Sequence, residues 1–405
     1  MFDVIVIGAG ASGMVSAIVS ARRGKRVLIL EKNNKTGKKL LATGNGKCNI
    51  TNQRPTLDRF YSSNPKFIAQ VFQDYSYQSI KQFFRSIGLE LVEGKEGKVF
   101  PLSLQASSVV EILEYNCQEL GVKICCDIEV QNIKKMGNLY EISHSNGREK
   151  STSVVVATGH LSAPQLGGVD IGVHFANKLG HKAIKPFPTL VQLTSSQKNL
   201  KQMAGVKVES CVSFTSKSGK TIQQQGDILF TSYGVSGLAI LDISRFVMQS
   251  LTHAPKVELK IDLMPKLTSE QLLSLMKKSL IKNSSKPLKI WMQGFLNKKL
   301  IVPILAPLKL ENQTLGSISS NNKNLERVVE KIKFFNITID GSRGYKGAEV
   351  VAGGIDTKEI NPQTMESKKH KNLYFTGEVL DVDGDRGGFN LHFAWVCGLR
   401  AGENL

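Results

Sequence analysis

The sequence has few of the features that mark secreted, membrane or metal-binding proteins. Its six cysteines form no C-x-x-C pair and no dense framework, which is typical of reduced thiols and argues against a disulfide-stapled scaffold. No charged and apolar leader precedes the first apolar run, and the apolar stretch 4–19 contains three glycines. We therefore expect a cytoplasmic protein with no membrane span and no metal site.

Acidic residues are scarce relative to basic ones. Lys and Arg number 53 against 34 Asp and Glu, which gives a formal net charge of +19. Such a charge concentrates polyanions near the surface, although a general solubility trait explains it equally well on charge alone. The 405 residues, 41% of them hydrophobic, are enough for two or three globular domains.

The first 31 residues contain a dinucleotide-binding fingerprint. The apolar run 4–7 is typical of a buried strand, and Gly8-Ala-Gly10-Ala-Ser-Gly13 leads from it into a helix. Gly8 permits a tight turn, Gly10 lets the backbone approach a pyrophosphate, and Gly13 lets the helix pack close to the strand. A second strand ends in Glu31, whose carboxylate can bind ribose hydroxyls and would repel a 2′-phosphate. The fingerprint therefore predicts a dinucleotide other than NADP at this helix N-terminus.

A loop rich in glycine, asparagine and lysine follows at 37–52. In a nucleotide-binding fold such a loop lies on the ligand side, outside the carboxyl ends of the strands. Its lysines, which include Lys39 and Lys47, can neutralise a phosphate or an anionic reduced flavin; a solvated basic loop is the alternative. Cys48 follows Lys47 directly, and we expect the neighbouring lysines to tune the pKa of its thiol.

Two segments near the C-terminus predict the second half of the ligand site. Thr376-Gly377-Glu378 ends a short apolar strand, and Gly387-Gly388-Phe-Asn390 opens a helix of small residues. Two helix N-termini at one crevice suit a ligand with a pyrophosphate at one end and a polar, reducible ring at the other. FAD fits that description better than NAD does.

The rest of the chain predicts an α/β protein with two insertions. Helices are predicted over 64–92, 107–120, 238–248, 269–282, 290–300 and 324–333, and a buried strand over 153–157 leads to Gly159. Short alternating runs over 190–262 predict an antiparallel barrel or sandwich. We predict a Rossmann-like FAD-binding domain from 1–189 and 336–405, an antiparallel β-barrel-like domain over 190–264, and a helical subdomain over 265–335.

The predicted helical subdomain is strongly basic. Residues 265–333 contain 13 Lys and Arg against 4 Glu, a net charge of +9. The spacing of Trp291 and Phe295 favours core packing over base stacking. We expect this surface to bind RNA through Lys277, Lys278, Lys282, Lys286 and Lys289.

The glycine-rich segments together resemble the two-part FAD signature of the glutathione-reductase-type flavoproteins. Segments 37–52, 359–367 and 377–391 narrow the resemblance to the BaiN/RdsA family, also called YhiN-like flavoproteins. The resemblance runs from residue 3 to residue 402 and is weakest over 190–335. It implies an FAD domain assembled from both chain ends.

The resemblance also implies roles for individual residues. Gly8, Gly10, Ala11, Ser12 and Gly13 would hold the pyrophosphate, Glu31 the ribose, Val130 the adenine through its backbone, Glu378 a ribitol hydroxyl, and Gly388, Asn390 and Leu391 the isoalloxazine. Lys32, Lys39, Gly159 and Gly377 complete the predicted cofactor site. Phe389 and His392 depart from the family, which usually has Tyr and often has Gln there.

Family members are linked to flavin-dependent reduction, including reduction of uridine to dihydrouridine in ribosomal RNA, and one branch is named for bile-acid metabolism. The basic block favours structured RNA as the partner. We expect NAD(P)H, bound transiently, to reduce FAD, and flavin N5 then to pass hydride to uracil C6 while an acid protonates C5. Cys48 is the first candidate for that acid and His392 the second, but both residue types are also common in simple packing roles. The alternatives are a reductase of small conjugated-carbonyl or steroid-like substrates and a non-enzymatic flavin-containing RNA-binding protein.

Overall fold

The structure is a computed structural model that describes residues 1–280, 284–319 and 322–405. The chain separates into two compact units, one formed by 1–187 with 349–405 and the other by 188–348. The strands are β1 Phe2–Ile7, β2 Val27–Leu30, β3 Thr51–Asn52, β4 Phe60–Tyr61, β5 Leu91–Glu93, β6 Lys98–Pro101, β7 Lys123–Cys125, β8 Val130–Met136, β9 Leu139–His144, β10 Gly147–Val156, β11 Ala183–Thr189, β12 Leu193–Thr194, β13 Lys207–Thr215, β14 Thr221–Thr231, β15 Gly234–Ser236, β16 Val257–Asp262, β17 Phe335–Ile339, β18 Gly341–Ser342, β19 Val350–Ile355, β20 Leu373–Phe375 and β21 Asp383–Gly384. The helices are α1 Ala11–Arg22, α2 Lys38–Ala42, α3 Pro65–Val71, α4 Tyr77–Ser86, α5 Ala106–Glu119, α6 Ile171–Lys178, α7 Leu200–Met203, α8 Leu238–Leu251, α9 Ser269–Lys278, α10 Leu288–Met292, α11 Lys298–Leu305, α12 Leu315–Ser319, α13 Asn322–Lys333, α14 Gly344–Gly347 and α15 Phe389–Glu403.

A mostly parallel sheet forms the centre of the first unit. Its order is β7-β2-β1-β10-β9-β8, with β20 also paired to β10. Strands β7, β2, β1, β10 and β20 run parallel, and β9 and β8 add an antiparallel meander. Strands β2 and β20, most of β1 and the Val154–Val156 end of β10 are apolar and buried, as expected for strands covered by helices on both faces. The predicted Rossmann-like α/β fold, built from both chain ends, is confirmed.

Helix α15 closes the first unit by packing on α1. The Ser16 hydroxyl donates to the carbonyl of Gly398 at 3.2 Å. A Cβ on Gly398 would lie 2.7 Å from the carbonyl oxygen of Ser12, so the close approach of the two helices requires glycine here. The C-terminal helix thus lies directly against the helix of the N-terminal fingerprint.

The segment 64–92, predicted to be helical, is helical only in part. Two helices, α3 and α4, occupy the segment, and β5 follows them. Ser76 starts α4 with a capping box, in which its side chain and that of Ser79 each accept a backbone N–H of the other residue. The apolar period of 3.6 residues continues across this break, so periodicity alone did not reveal it. Likewise α10 and α11 replace the single helix predicted over 290–300.

A seven-stranded antiparallel sheet forms the second unit together with helices. Its order is β17-β16-β13-β14-β15-β12-β18. Only Asp340 separates β17 from β18, so the two edge strands of the sheet follow one another directly in the chain. Strand residues such as Val212 and helix residues such as Leu300 share one hydrophobic core, and the domain boundary between 264 and 265 stays a prediction. Among the described residues, no helix is both long enough and apolar enough to cross a bilayer.

Candidate cofactor-binding and active site

The fingerprint glycines differ in what surrounds them. Gly8 has φ +105° at the end of β1, and a Cβ there would lie 2.5 Å from the carbonyl oxygen of Ala157. A Cβ on Gly13 would lie 2.0 Å from the carbonyl oxygen of Gly8. A Cβ on Gly10, by contrast, would have no atom within 4 Å. Packing therefore requires two of the glycines, and the third faces open space at the start of α1, where the prediction has the pyrophosphate.

The first turn of α1 contacts the predicted ribitol segment. Ala11 and Ser12 begin the helix, and the Thr376 hydroxyl donates to the Ser12 hydroxyl oxygen at 3.1 Å. Gly377 has φ +74°, and a Cβ there would lie 2.8 Å from the same oxygen. The two glycine-rich segments, 364 residues apart, therefore form one surface.

The carboxylate of Glu31 is buried and accepts three hydrogen bonds. Its Oε2 accepts the backbone N–H of Ala9 at 2.8 Å, and its Oε1 accepts the backbone and side-chain N–H groups of Asn33 at 2.8 and 2.6 Å. Lys32, the next residue, is half-buried. A carboxylate has about four acceptor sites, so one site is left for a ligand hydroxyl.

Val130 lies near Glu31 at the start of β8. The backbone N–H of Ile128, two residues earlier, donates to the carbonyl of Glu31 at 2.9 Å. Val130 is itself buried and paired with His144 of β9, next to a register shift in the ladder. The backbone of Val130 therefore lies near the carboxyl end of β2, as the adenine prediction requires.

Glu378 forms the most polar contact set of the site. It accepts hydrogen bonds from Lys39 Nζ and Ser162 Oγ, both at 2.7 Å, and from the backbone N–H of Val351 at 3.1 Å. Burial alone would raise the pKa of Glu378, but the Lys39 charge and the hydrogen bonds from Lys39 and Ser162 hold it below its ordinary value. Gly159 adjoins this carboxylate, since a Cβ there would lie 3.8 Å from Glu378 Oε2. Glu378 is thus an ionised acceptor.

His160 is a buried residue that sequence reasoning missed. It is 1% exposed, and neither ring nitrogen has a hydrogen-bond partner among the described residues. Burial lowers its pKa, against the opposing charge of Glu378, so the ring is neutral. Unpaired buried polar atoms cost about 1–3 kcal/mol each, and such atoms are satisfied by a bound group or by water. A histidine directly after a strand and Gly159 is the sequence signal that would have found it.

The N-terminus of α15 packs against, and is hydrogen-bonded to, the segment that contains Cys48. Gly388, the N-cap residue, has φ +97°, and a Cβ there would lie 2.4 Å from the carbonyl oxygen of Thr51. Asn52 Nδ2 donates to the carbonyl of Gly387 at 3.1 Å. The structure therefore joins the 37–52 and 387–391 motifs, as the isoalloxazine prediction requires.

The side chain of Asn390 forms hydrogen bonds within the protein. Its Oδ1 accepts the backbone N–H of Gly384 at 2.8 Å, and its Nδ2 donates to the carbonyls of Gly384 at 2.8 Å and Asp385 at 3.2 Å. Leu391 is half-buried against the core. Leu391 and the backbone N–H groups of the first helical turn, which lack partners within the helix, are therefore the groups available to a cofactor here.

The two candidate acids are both fully buried. Burial lowers the pKa of His392 to about 3, its Nδ1 is 2.8 Å from the Thr51 hydroxyl, and its Nε2 has no partner among the described residues. A neutral ring at physiological pH weighs against His392 as the proton donor. Burial raises the pKa of Cys48 to about 11, with a hydrogen bond to Thr43 opposing it. Desolvation therefore outweighs any tuning by the flanking lysines, and the Cys48 thiol stays protonated.

Arg59 is a second residue that sequence reasoning missed. Its Nε donates to Asp385 Oδ2 at 2.5 Å, and its guanidinium lies 4.4 Å from the ring centre of Phe389. The Tyr61 hydroxyl donates to Asp385 Oδ1 at 3.0 Å. The Arg59 side chain is 41% exposed, so it is a pre-positioned cation at the start of α15 that can bind a carbonyl or anionic oxygen. No local signal links Arg59 to Asp385, which is 326 residues away.

The lysines predicted to bind RNA all belong to the second unit. Lys277 and Lys278 end α9 and are exposed, Lys286 is exposed, Lys289 is half-buried, and Lys282 lies outside the described residues. Trp291 is nearly buried and meets Phe295 edge-on at 5.0 Å, so this pair packs in the core.

The Rossmann-like sheet, the glycine fingerprint and a second helix N-terminus at the same crevice define a class, the flavin-dependent oxidoreductases. Comparison with known families agrees, since the HI0933-like protein Rossmann domain matches residues 2–404. The chain belongs to this family, which corresponds to the BaiN/RdsA resemblance noted above. Membership makes the chain an enzyme and decides against the non-enzymatic alternative.

Relatives with known activities span nearly the whole chain. The 3-dehydro-bile acid delta(4,6)-reductase of Clostridium scindens is 33% identical over 400 residues, which are 98% of this chain and 97% of that protein. The ribosomal RNA dihydrouridine synthase of Haemophilus influenzae is 32% identical over 397 residues, 96% of this chain and 95% of that protein. Among solved structures, the 3-ketosteroid-delta4-(5alpha)-dehydrogenase of Rhodococcus jostii RHA1 has a TM-score of 0.51 at 15% identity, over 100% of this chain and 96% of that one. That structural likeness shows the fold alone.

Proposed function

We propose that this protein is an FAD-dependent enzyme that uses NAD(P)H to reduce uridine to dihydrouridine in ribosomal RNA. The observation that carries the choice of RNA is the charge of the second unit. Residues 188–348 contain 23 Lys and Arg against 10 Asp and Glu, a net charge of +13 out of +19 for the chain. RNA is the natural partner of such a surface, whereas a small neutral substrate needs none of it.

The described residues fit FAD. Open space at Gly10, the ionised carboxylate of Glu378 and the unpaired nitrogens of His160 are the features that a phosphate, ribitol hydroxyls and a polar ligand edge would satisfy. When bound, FAD supplies the hydride. The chain's own groups orient it: Glu378 accepts from a ribitol hydroxyl, and the first-turn N–H groups of α15 favour negative charge on the ring.

The chemistry needs one proton besides the hydride. The C5–C6 double bond of uracil is conjugated to a carbonyl, so hydride adds at C6 and a proton at C5, while NAD(P)H is oxidised to NAD(P)⁺. The Cys48 thiol holds a proton at neutral pH, but with a pKa of about 11 it is a weak acid and it is buried, so its use as a donor requires the substrate to reach it. We propose Cys48 as the donor, and His392, which is neutral, as a positioning residue that holds Thr51.

Ribosomal RNA from cells that lack this protein tests the proposal. The purified enzyme with NAD(P)H under anaerobic conditions should convert uridine to a nucleoside 2 Da heavier, detected by mass spectrometry. Bleaching of the flavin without any change in the RNA would reject RNA as the substrate.

Cys48→Ala tests the proton donor. Loss of a general acid lowers turnover by about 10²–10⁴-fold, while flavin reduction by NAD(P)H should be unchanged. Cys117→Ala is the matched control, because Cys117 is another buried thiol, packed against Met14. Equal turnover of the two variants would remove Cys48 from the mechanism.

A small conjugated-carbonyl or steroid-like substrate is the second candidate, and the bile acid reductase at 33% identity favours it. The two candidates share one chemistry, the reduction of a double bond conjugated to a carbonyl. Salt separates them, because the KM for RNA should rise steeply between 50 and 200 mM salt whereas that for a neutral enone should not.

A further inference from the structure

One face of the sheet in the second unit is polar and open to solvent. Strands β17, β16, β13 and β14 lie side by side, and the residues directly opposite one another form a row across all four strands: Asn336, Lys260, Ser213 and Gln223. Ser213 is half-buried and the other three are exposed. The opposite face carries Val212, Leu259 and Ile337 into the hydrophobic core. The row contains amides, a hydroxyl and a cation, and no carboxylate.

An exposed aromatic ring lies at one end of this face. Phe334, between α13 and β17, is 53% exposed, whereas Phe335 beside it is buried. Among the aromatic side chains that the structure describes, only Phe334 and Tyr115 are this exposed. Phe334 lines a surface depression of about 330 Å³ together with Lys260, Glu330, Lys331 and Asn336. The ring, the two lysines and the amide of Asn336 therefore share one concave surface that is open to solvent.

The charges around the ring favour an anionic partner. Lys260 and Lys331 have no ion-pair partner within the described ranges. Asp262 is neutralised by Lys333 Nζ at 2.6 Å, which leaves Glu330 as the acid that lines the depression. Two lysines against one glutamate give the lining of the depression a charge of +1, within a unit whose net charge is +13.

We propose that this face, defined by Phe334, Lys260, Lys331, Asn336 and Gln223, binds single-stranded RNA. A base stacks on Phe334, the two lysines neutralise phosphates, and the amides of Asn336 and Gln223 meet base edges. Aromatic rings on a sheet with nearby cations are a recurrent way to bind unpaired bases, because every base has a stacking face. The inference rests on the proposed function and deepens it by adding a surface for unpaired nucleotides to the lysines of the helices.

Binding of a fluorescein-labelled single-stranded oligouridine to the oxidised, FAD-loaded enzyme tests the face by anisotropy. Phe334→Ala should weaken binding by about 5- to 100-fold. Tyr115→Ala is the matched control, since Tyr115 is the exposed aromatic of the first unit, and its affinity should equal that of the wild type. Wild-type affinity for Phe334→Ala would overturn the proposal.

Two further variants show what occupies the face even if Phe334→Ala folds poorly. Phe334→Trp in a Trp291→Phe, Trp395→Phe background should bind RNA and lose tryptophan emission as the base stacks; unquenched emission at saturating RNA would overturn the proposal. Lys260→Gln should lower the slope of log K against log salt by about 0.7. A change in sedimentation mass for Phe334→Ala with unchanged RNA affinity would make this a protein interface instead.

The binding assay needs no turnover, so its outcome is separate from that of the proposed function. Stacking on Phe334 with no dihydrouridine formed would reject the reductase proposal and leave the RNA-binding face standing. Dihydrouridine formation with unaltered binding by Phe334→Ala would reject this face alone.

Discussion

His392 makes the first unit sensitive to mild acid. Burial lowers the pKa of His392 in the folded protein to about 3, against about 6.5 in an unfolded chain. Between these two pKa values His392 is protonated in the unfolded state but not in the folded state. The free energy of unfolding therefore falls as the pH drops from 6.5 towards 3. Between pH 7 and pH 5 this residue should cost the folded state about 2 kcal/mol.

His392→Gln removes the titrating group and keeps a polar side chain of similar size near the Thr51 hydroxyl. The variant should lose about 2 kcal/mol less than the wild type between pH 7 and pH 5. His160 and His181, whose pKa values are also lowered by burial, contribute equally to both proteins and cancel in the comparison. His174→Gln is the control, because His174 is exposed on α6.

The two tryptophans make the measurement possible. Trp395 is buried in the first unit, where its Nε1 donates to the carbonyl of Ile50 at 2.8 Å, and Trp291 belongs to the second unit. In a Trp291→Phe background, emission during urea unfolding reports on the first unit alone, which avoids treating the whole chain as two-state. FAD is held at one saturating concentration, because ligand binding adds to apparent stability. An equal loss of stability in His392→Gln and wild type would refute the reasoning.

Three other outcomes follow from the contacts described above. Lys39→Met removes the cation that lowers the pKa of Glu378, the proposed ribitol acceptor, so the loss of FAD binding at low pH should begin at a higher pH in flavin-fluorescence titrations; an unchanged pH dependence would contradict a role for the Lys39–Glu378 pair. Gly388→Ala should lower the melting temperature more than Gly180→Ala, because both have positive φ but only Gly388 would place a Cβ against a backbone oxygen, at 2.4 Å. Lys277→Glu with Lys278→Glu should weaken RNA binding and flatten its salt dependence, with FAD affinity as the internal control.

Local patterns were enough to predict the nucleotide-binding half of the fold. The buried strand 4–7, the three glycines and the second strand before Glu31 each leave a mark within a few residues, because the turn and the close helix packing need glycine at fixed offsets. The helix at Ala106–Glu119 was predictable in the same way, from its apolar period and the αL glycine after it at Gly121.

Contacts across the chain were not predictable. The Arg59–Asp385 pair joins residues 326 positions apart, and neither residue has a local sign that it needs the other. The burial of Cys48 is a similar case: its lysine neighbours in sequence suggested that they tune the thiol pKa, whereas burial among apolar residues raises that pKa to about 11. Sequence order reports the charges along the loop but not the solvent removed when the loop packs.

Contacts with Thr51 and Asn52 explain the two glycines, Gly387 and Gly388, that precede α15. Gly388 needs its positive φ and its missing Cβ because the carbonyl of Thr51 lies where a side chain would be, and Gly387 offers its own carbonyl to Asn52. Two signatures that stand more than 330 residues apart in the sequence are therefore halves of one substructure. A change in either half should disturb the other, so FAD affinity and the stability of the 48–52 segment should fall together when the turn before α15 is altered. The proposed cofactor site therefore depends on the packing of α15 within the first unit as well as on the glycine fingerprint at residues 8–13.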